Sequence, residues 1–111
     1  MENCVFCKIV AGVIPSPRLY EDEQMIVIRD IEPKAKLHYL CIPKTHFALL
    51  NEMDAEKADI VKHCFTVIPT LEKELGLEEG YRVIINQGYH GGQTVHHLHI
   101  HLLGGEMLGD F

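Results

Sequence analysis

The sequence predicts an α+β domain built from five strands, one short helix and one long helix. Two patterns predict it: apolar residues recur at helical spacing in two stretches, and short extended apolar runs alternate with turn residues elsewhere. The composition, 47% hydrophobic and 23% charged, is typical of a globular protein. A chain of 111 residues is expected to form one domain, residues 1–111.

The first half of the chain predicts a short helix followed by three strands. The stretch CVFCKIVAG favours two helical turns that stop at Gly12. The stretches PRLYED, QMIVIRD and KLHYLCIP are extended runs separated by polar or proline-containing turns. This order indicates an antiparallel meander.

The second half predicts a long helix and two further strands. Asp54 is the candidate N-cap and Gly76 the natural stop. Pro69 removes a backbone donor between them, so we expect a kink or a division into two pieces. YRVIIN then predicts the fourth strand and TVHHLHIHLL the fifth. The apolar residues near helical spacing are Ala58, Val61, Phe65, Ile68, Leu71 and Leu75.

Charge and hydropathy exclude several classes of partner. The formal net charge of −6 argues against a general attraction to nucleic acid or to an anionic membrane surface. No apolar run approaches the roughly 20 residues of a membrane helix, and MENCVFCKIV lacks the features of a signal peptide. We therefore expect a cytoplasmic protein that binds a small molecule, with no nucleic acid and no membrane as partner.

Three histidines alternate with apolar residues in the last predicted strand. Alternation places His97, His99 and His101 on one face of that strand and the apolar residues on the other. A single histidine is more often an exposed or hydrogen-bonded residue of a sheet surface. Three histidines at alternate positions are energetically unfavourable if they serve packing alone, because protonated imidazoles repel one another and each buried nitrogen needs a hydrogen-bond partner. A phosphate or a metal would satisfy them.

The motif HHLHIHLLGG resembles the signature of the histidine-triad (HIT) family, in its Hint branch of purine nucleoside phosphoramidases. CVFCKIVAGVIPSPRLYEDE, IRDIEPKAKLHYLCIPKTH, LGLEEGYRVIINQG and GGQTVHHLHIHLLGG also resemble Hint segments, in the same order and over nearly the whole chain. The resemblance implies a homodimer of HIT-like subunits. Each subunit would have a five-stranded antiparallel sheet, continued across the interface, where the long helix would pack.

The resemblance also implies an activity. Family members bind a nucleoside monophosphate and cleave a bond at its α-phosphorus through a covalent nucleotidyl-histidine. We therefore expect hydrolysis of P–N and related bonds in purine nucleoside phosphoramidates, with release of AMP or GMP. Two alternatives stay open: a dinucleoside polyphosphate hydrolase, and a non-enzymatic interaction protein that binds the nucleotide only as a ligand.

Matching by position assigns the catalytic roles. His99 matches the family nucleophile. The backbone carbonyl of His97 would fix the other ring nitrogen of His99 as a donor, and His101 would contact the phosphate and favour the leaving group. Thr94 matches a family serine or threonine that reaches the phosphate or leaving group.

The same matching assigns the nucleotide contacts. Asp30 matches an aspartate that binds the ribose hydroxyls, and Asn86 a residue that touches sugar or phosphate. The loop of Gly91, Gly92 and Gln93 would let the backbone approach the phosphate. Without the resemblance, most of these residues would be interpreted as turn formers or core. The apolar part of the nucleotide site is matched by Val5, Phe6, Ile9, Ile28, Ile31 and Val95.

Cys4 and Cys7 suggest a structural zinc site that the chemistry itself does not need. A C-x-x-C pair supplies two ligands of a tetrahedral zinc from one turn. Resemblance to bacterial HIT proteins and to galactose-1-phosphate uridylyltransferases assigns the other two to His46 and His97. Two alternatives are that the cysteines are small buried hydrophobes or, more weakly, a redox pair.

The other histidines and cysteines receive no functional assignment. His96 faces away from the site by alternation and is interpreted as structural or interfacial. Cys41 and Cys64 are expected in the core. The sequence assigns no role to His38, His63 or His90.

Overall fold

Five strands form one antiparallel sheet in the order β1-β2-β3-β5-β4. The computed structural model describes residues 3–111. All four strand pairings are antiparallel, which confirms the predicted α+β fold. The strands are β1 Tyr20–Glu21, β2 Met25–Arg29, β3 Leu37–Pro43, β4 Tyr81–Ile84 and β5 Ile100–Gly104.

The two faces of the sheet are covered by different helices. Helix α1, Val5–Val10, packs Phe6 and Ile9 against one face, where Leu40 of β3 lies. The other face packs against the helical segment that begins at Ala55. Because Leu40 pairs directly with His101 of β5, the side chain of His101 shares the α1 face. The fold therefore places the catalytic candidates between α1 and the sheet.

The predicted long helix is divided at Pro69. Helix α2 spans Ala55–Val67, a 3-10 turn covers Ile68–Leu71, and helix α3 spans Glu72–Leu75. The Asp54 carboxylate accepts the backbone N–H of Lys57 at 2.9 Å, as an N-cap does. The segment ends at Gly76, whose φ of 74° is the left-handed conformation of a helix C-cap. The cap, the division and the stop are confirmed.

The apolar residues of α2 fall on two faces of the helix. Ile60 and Cys64 face the sheet, whereas Ala58 is exposed and Phe65 is 43% exposed. Cys64 joins Ile68, Leu71 and Leu75 in the cluster that packs against the sheet. The predicted helical spacing is confirmed, and Phe65 lies on a second apolar face of α2 that the single chain leaves open.

Strand β5 begins later than predicted. The strand starts at Ile100, so His97 and His99 lie in an irregular segment before it. The backbone N–H of Leu98 donates to the carbonyl of Phe47 at 2.7 Å, and that of His97 to the carbonyl of Val95 at 2.9 Å. These bonds divert the segment from the sheet ladder. Among the helices of residues 3–111, none has the length and apolar character needed to cross a membrane.

Candidate active site and metal centre

The main chain holds the ring of His99. Its Nδ1 lies 2.6 Å from the carbonyl oxygen of His97. Because a carbonyl oxygen only accepts, Nδ1 donates its proton and Nε2 keeps a lone pair. Phe6 packs edge-on against the same ring, with 4.9 Å between ring centroids. One tautomer and one orientation of His99 are therefore fixed, as a nucleophilic imidazole requires.

A second histidine pair fixes the tautomer of His101. The backbone N–H of Lys34 donates to His38 Nδ1 at 3.0 Å, so Nε2 of His38 carries the proton. That Nε2 lies 2.9 Å from His101 Nδ1 and 3.4 Å from a carboxylate oxygen of Asp30. His101 Nδ1 is then an acceptor, and its Nε2 carries the proton.

The Nε2–H of His101 is a buried donor without a partner among residues 3–111. A buried unpaired donor costs about 1–3 kcal/mol, so such a group is usually matched to something that binds. The rings of His99 and His101 are 4.9 Å apart between centroids. A lone pair on one ring and a free N–H on the other thus lie side by side, which suits a phosphoryl group held between them.

Burial favours the neutral form of these histidines. It lowers the pKa of His99 below the ordinary 6.5, with partial opposition from the hydrogen bond to His97. Burial, reinforced by the neighbouring His99 and His38, lowers the pKa of His101 to about 4. Burial also lowers the pKa of His38, with Asp30 opposing it.

The free energy of unfolding is expected to depend on pH through His101. Above pH 6.5, His101 is neutral in both the folded and the unfolded chain. Between pH 6.5 and its folded pKa of about 4, the unfolded chain binds the proton more tightly. The free energy of unfolding therefore decreases as the pH is lowered through this range. We expect this residue to contribute a loss of roughly 1–2 kcal/mol, measured by urea unfolding at pH 7 and pH 4.5. His101→Asn should show a smaller fall, and an equal fall would contradict the assignment.

The loop before the triad is closed by the side chain of Gln93. Its amide oxygen accepts the backbone N–H of Gly88 at 2.9 Å, and its amide nitrogen donates to the carbonyl of Ala48 at 3.0 Å. A Cβ at Gly91 would collide with the backbone of Gln87, so only glycine fits there. The side chain of Gln93 therefore positions the loop. Thr94, the next residue, is exposed.

Four of the predicted nucleotide residues pack together in the structure. Phe6, Ile9 and Ile28 form one apolar cluster with Val95 packed against it. Asp30 and Asn86 are half-buried in the loops that follow β2 and β4. Two predicted slot residues stand apart from the cluster: Val5 is partly exposed, and Ile31 is 94% exposed.

Cys4, Cys7, His46 and His97 form a second cluster, with one ligand atom of each within 4.8 Å of the others. The Nδ1 atoms of His46 and His97 are 3.2 Å apart, and Cys7 Sγ lies 3.2 Å from the first and 3.6 Å from the second. Cys4 Sγ lies 3.4 Å from His97 Nδ1. Ligands of a tetrahedral zinc are separated by about 3.3–3.8 Å, so the set fits that metal closely.

The tautomer of His97 suits a metal ligand. Its Nε2 lies 2.7 Å from the carbonyl oxygen of Pro43 and therefore donates, which leaves the lone pair on Nδ1. A metal ligand whose second nitrogen donates to a backbone carbonyl is the usual arrangement for histidine. The four donors are those that zinc prefers, two sulfurs and two imidazole nitrogens.

Sequence patterns missed His38. It lies on β3 two residues before Leu40, the residue that pairs with His101, so both histidines occupy one face of the sheet. Alternation within KLHYLCIP places His38 and Leu40 on one side. The register between β3 and β5, separated by more than 55 residues, is what brings it to His101.

Comparisons with known proteins agree with this geometry. Residues 3–111 match the family described as scavenger mRNA decapping enzyme C-term binding. Protein HitA of Neisseria gonorrhoeae is 44% identical over 104 residues, which are 94% of this chain and 97% of HitA. A HIT family hydrolase from Clostridium thermocellum superposes with a TM-score of 0.94 at 46% identity, covering all of this chain and 97% of the other.

A zinc-bound histidine triad family protein from Mycobacterium smegmatis superposes with a TM-score of 0.78 at 39% identity, covering 92% of this chain and 74% of that one. The sequence and structural relatives name the same family, and the histidine geometry is the one its name describes. The chain belongs to the histidine-triad (HIT) family.

Proposed function

We propose that this protein hydrolyses purine nucleoside phosphoramidates through a covalent nucleotidyl-histidine on His99 and releases AMP or GMP. The observation that carries the proposal is the pairing of two fixed tautomers: the free lone pair of His99 Nε2 beside the unpartnered Nε2–H of His101. The hydrolase from Clostridium thermocellum, 46% identical, supports hydrolysis as the reaction class.

The chemistry proceeds in two displacements at phosphorus. His99 Nε2 attacks the α-phosphorus, a P–N bond to the ring forms, and the bond to the leaving amine breaks. His101 Nε2–H donates a hydrogen bond to a phosphoryl oxygen or to the departing nitrogen. The departing nitrogen takes up a proton from solvent and leaves as the amine. Water then displaces His99 from phosphorus, gives up a proton to solvent and frees the nucleotide.

The nucleotide lies beside α1, against the sheet face that carries His101. The purine packs on the cluster of Phe6, Ile9, Ile28 and Val95, which is apolar and adjoins His99 through Phe6. The carboxylate of Asp30 accepts hydrogen bonds from the ribose hydroxyls. Thr94 and the backbone of Gly92 contact the phosphate, in a loop that Gln93 holds closed. Asn86 contacts the sugar or the phosphate.

Substrate competition tests the proposed activity. The kcat/KM for adenosine phosphoramidate is expected to exceed that for diadenosine polyphosphates by at least about 100-fold, a difference of nearly 3 kcal/mol in transition-state binding. Faster cleavage of the polyphosphates would favour the alternative hydrolase. AMP binding without cleavage of either compound would favour the non-enzymatic interaction protein.

His38 is a positioning residue in this scheme, since it acts through His101. His38→Leu removes the donor to His101 Nδ1 and frees that ring to change tautomer, so kcat should fall about 10–100-fold with KM nearly unchanged. His38→Gln retains an N–H near the position of Nε2 and should restore part of the rate. Steady-state kinetics of both variants measure this, and equal losses in the two would show that His38 matters only for packing.

The Cys4, Cys7, His46 and His97 cluster holds one structural zinc. Support comes from the four ligand distances, which match a tetrahedron, and from the zinc-bound relative of Mycobacterium smegmatis. When bound, zinc ties α1 to the two histidine segments. It supplies no atom to the reaction at phosphorus.

The protein is a homodimer that buries the open face of α2. Phe65 is 43% exposed on that helix and Val83 is 42% exposed on the edge strand β4, so both offer apolar surface to a second copy. Phe65→Glu should shift the sedimentation coefficient from dimer to monomer, because a charge in an apolar interface is unfavourable. Glu74→Gln, at an exposed position of α3, is the control and should leave the dimer intact. A monomeric wild type would contradict the proposal.

A further inference from the structure

His97 belongs to both sites at once. Its ring Nδ1 is within 3.6 Å of three other metal-ligand atoms, and its carbonyl oxygen lies 2.6 Å from His99 Nδ1. The ring and the main chain of one residue thus connect the metal cluster to the nucleophile. Movement of His97 would change the direction and the tautomer of His99.

The remaining ligands tie other parts of the site to the same point. Cys4 is the N-cap of α1, where its Sγ accepts the backbone N–H of Cys7 at 3.3 Å. The same helix carries Phe6, which packs against His99. His46 precedes Phe47, whose carbonyl accepts the N–H of Leu98 within the triad. The metal ligands therefore join α1, residues 46–48 and residues 97–99.

The two sulfur ligands lie near solvent, unlike the other cysteines of the chain. Cys4 and Cys7 are partly exposed, and Cys4 lines a surface cavity of about 340 Å³ together with His46 and Thr94. Cys41 and Cys64 are 0% exposed in the core between α2 and the sheet. Small reagents can reach Cys4 from the cavity, whereas burial protects Cys41 and Cys64.

We propose that the Cys4–Cys7 pair is an oxidation site through which peroxides release the metal and switch off nucleotide hydrolysis. This inference rests on the proposed function and adds its regulation. The two sulfurs are one helical turn apart, so they can join without a rearrangement of the sheet. His97 is the ligand that couples metal release to catalysis.

The oxidation balances with hydrogen peroxide as the oxidant. One thiolate sulfur attacks a peroxide oxygen, the O–O bond breaks, and a sulfenic acid and hydroxide form. The second thiolate attacks the sulfenic sulfur, forming the disulfide and expelling a second hydroxide. Two protons from the buffer convert the two hydroxide ions to water, two electrons pass from sulfur to peroxide, and the metal loses two of its four ligands. A dithiol reductant reverses the reaction.

The test treats reduced, zinc-loaded protein with hydrogen peroxide and follows three signals in one sample. We expect release of about one zinc per chain to a chromogenic chelator, loss of two thiols, and a fall of at least about 10-fold in adenosine phosphoramidate turnover. Dithiothreitol followed by zinc should restore the rate. Peptide mass mapping of the wild type should place the disulfide at Cys4 and Cys7 and leave Cys41 and Cys64 reduced.

A matched variant separates the two cysteine pairs. Cys41→Ala with Cys64→Ala leaves only the proposed site and should show the same zinc release. Zinc retained at excess peroxide, a disulfide elsewhere, or full turnover after zinc release would each overturn the inference. If the reduced protein turns over no phosphoramidate, the proposed function fails. The zinc and thiol signals then still test the oxidation site, and zinc retained at excess peroxide overturns the inference separately.

Discussion

Replacing His99 by Ala or Gly is expected to lower adenosine phosphoramidate turnover by at least about 10⁴-fold. The substitution removes the ring that combines a fixed Nδ1 donor, bound 2.6 Å from the His97 carbonyl, with a lone pair beside the free N–H of His101. AMP affinity should change less than about 5-fold, because Asp30 and the apolar cluster around Phe6 remain. Single-turnover kinetics and calorimetric AMP titration measure the two effects.

Acid-quench trapping makes the result specific to the nucleophile. Wild-type protein should accumulate an adenylylated histidine that maps to His99, and the variant should form none. His96→Ala is the matched control, since His96 is the exposed neighbour of the triad and should retain near-normal turnover. A His99 variant that keeps more than a tenth of the wild-type rate would falsify the assignment of the nucleophile.

Local sequence signals predicted most of the fold because each acts within a few residues. Asp54 caps α2 through the N–H of Lys57, three positions away. Pro69 divides the helical segment because it lacks an N–H, and Gly76 ends it in a conformation that glycine adopts freely. These effects need no knowledge of the rest of the chain.

The limits of the prediction lie where distant segments compete for the same backbone. The alternating pattern predicted that β5 begins at Thr94. The backbone N–H of Leu98 instead donates to the carbonyl of Phe47, and not to a neighbouring strand. The apolar pattern of α2 contained two faces, and only packing on the sheet selected Cys64 over Phe65. Period alone cannot distinguish such alternatives.

Residues of the candidate site were likewise predicted where the signal is local and missed where it depends on distant segments. The triad and the cysteine pair are short motifs, so the resemblance reached them directly. His38 was left without a role because its partner His101 is 63 residues away and the strand register brings them together. The support given by Gln93 was missed for the same reason, since its amide binds Ala48, 45 residues earlier.

Replacing both Cys4 and Cys7 by Ser is expected to abolish metal binding. Purified protein that has not met a chelator should contain about one zinc per chain, and the double variant should contain nearly none, since serine hydroxyls are poor zinc ligands. Loss of a ligand that binds only the folded chain removes its binding free energy from stability, so Tm should fall by about 5–15 °C. Elemental analysis and thermal unfolding measure the two effects.

The buried cysteines provide the control that separates metal loss from general destabilisation. Cys41→Ser with Cys64→Ser makes the same chemical change in the core, where it should lower Tm but leave the zinc content at about one. Turnover also distinguishes the two cysteine pairs. His97 is one of the proposed metal ligands and its carbonyl fixes the His99 tautomer, so the kcat of the Cys4 and Cys7 variant, measured below its Tm, should fall at least about 10-fold. A metal-free wild type with undiminished stability would instead make Cys4 and Cys7 small packing residues, and the zinc proposal would be abandoned.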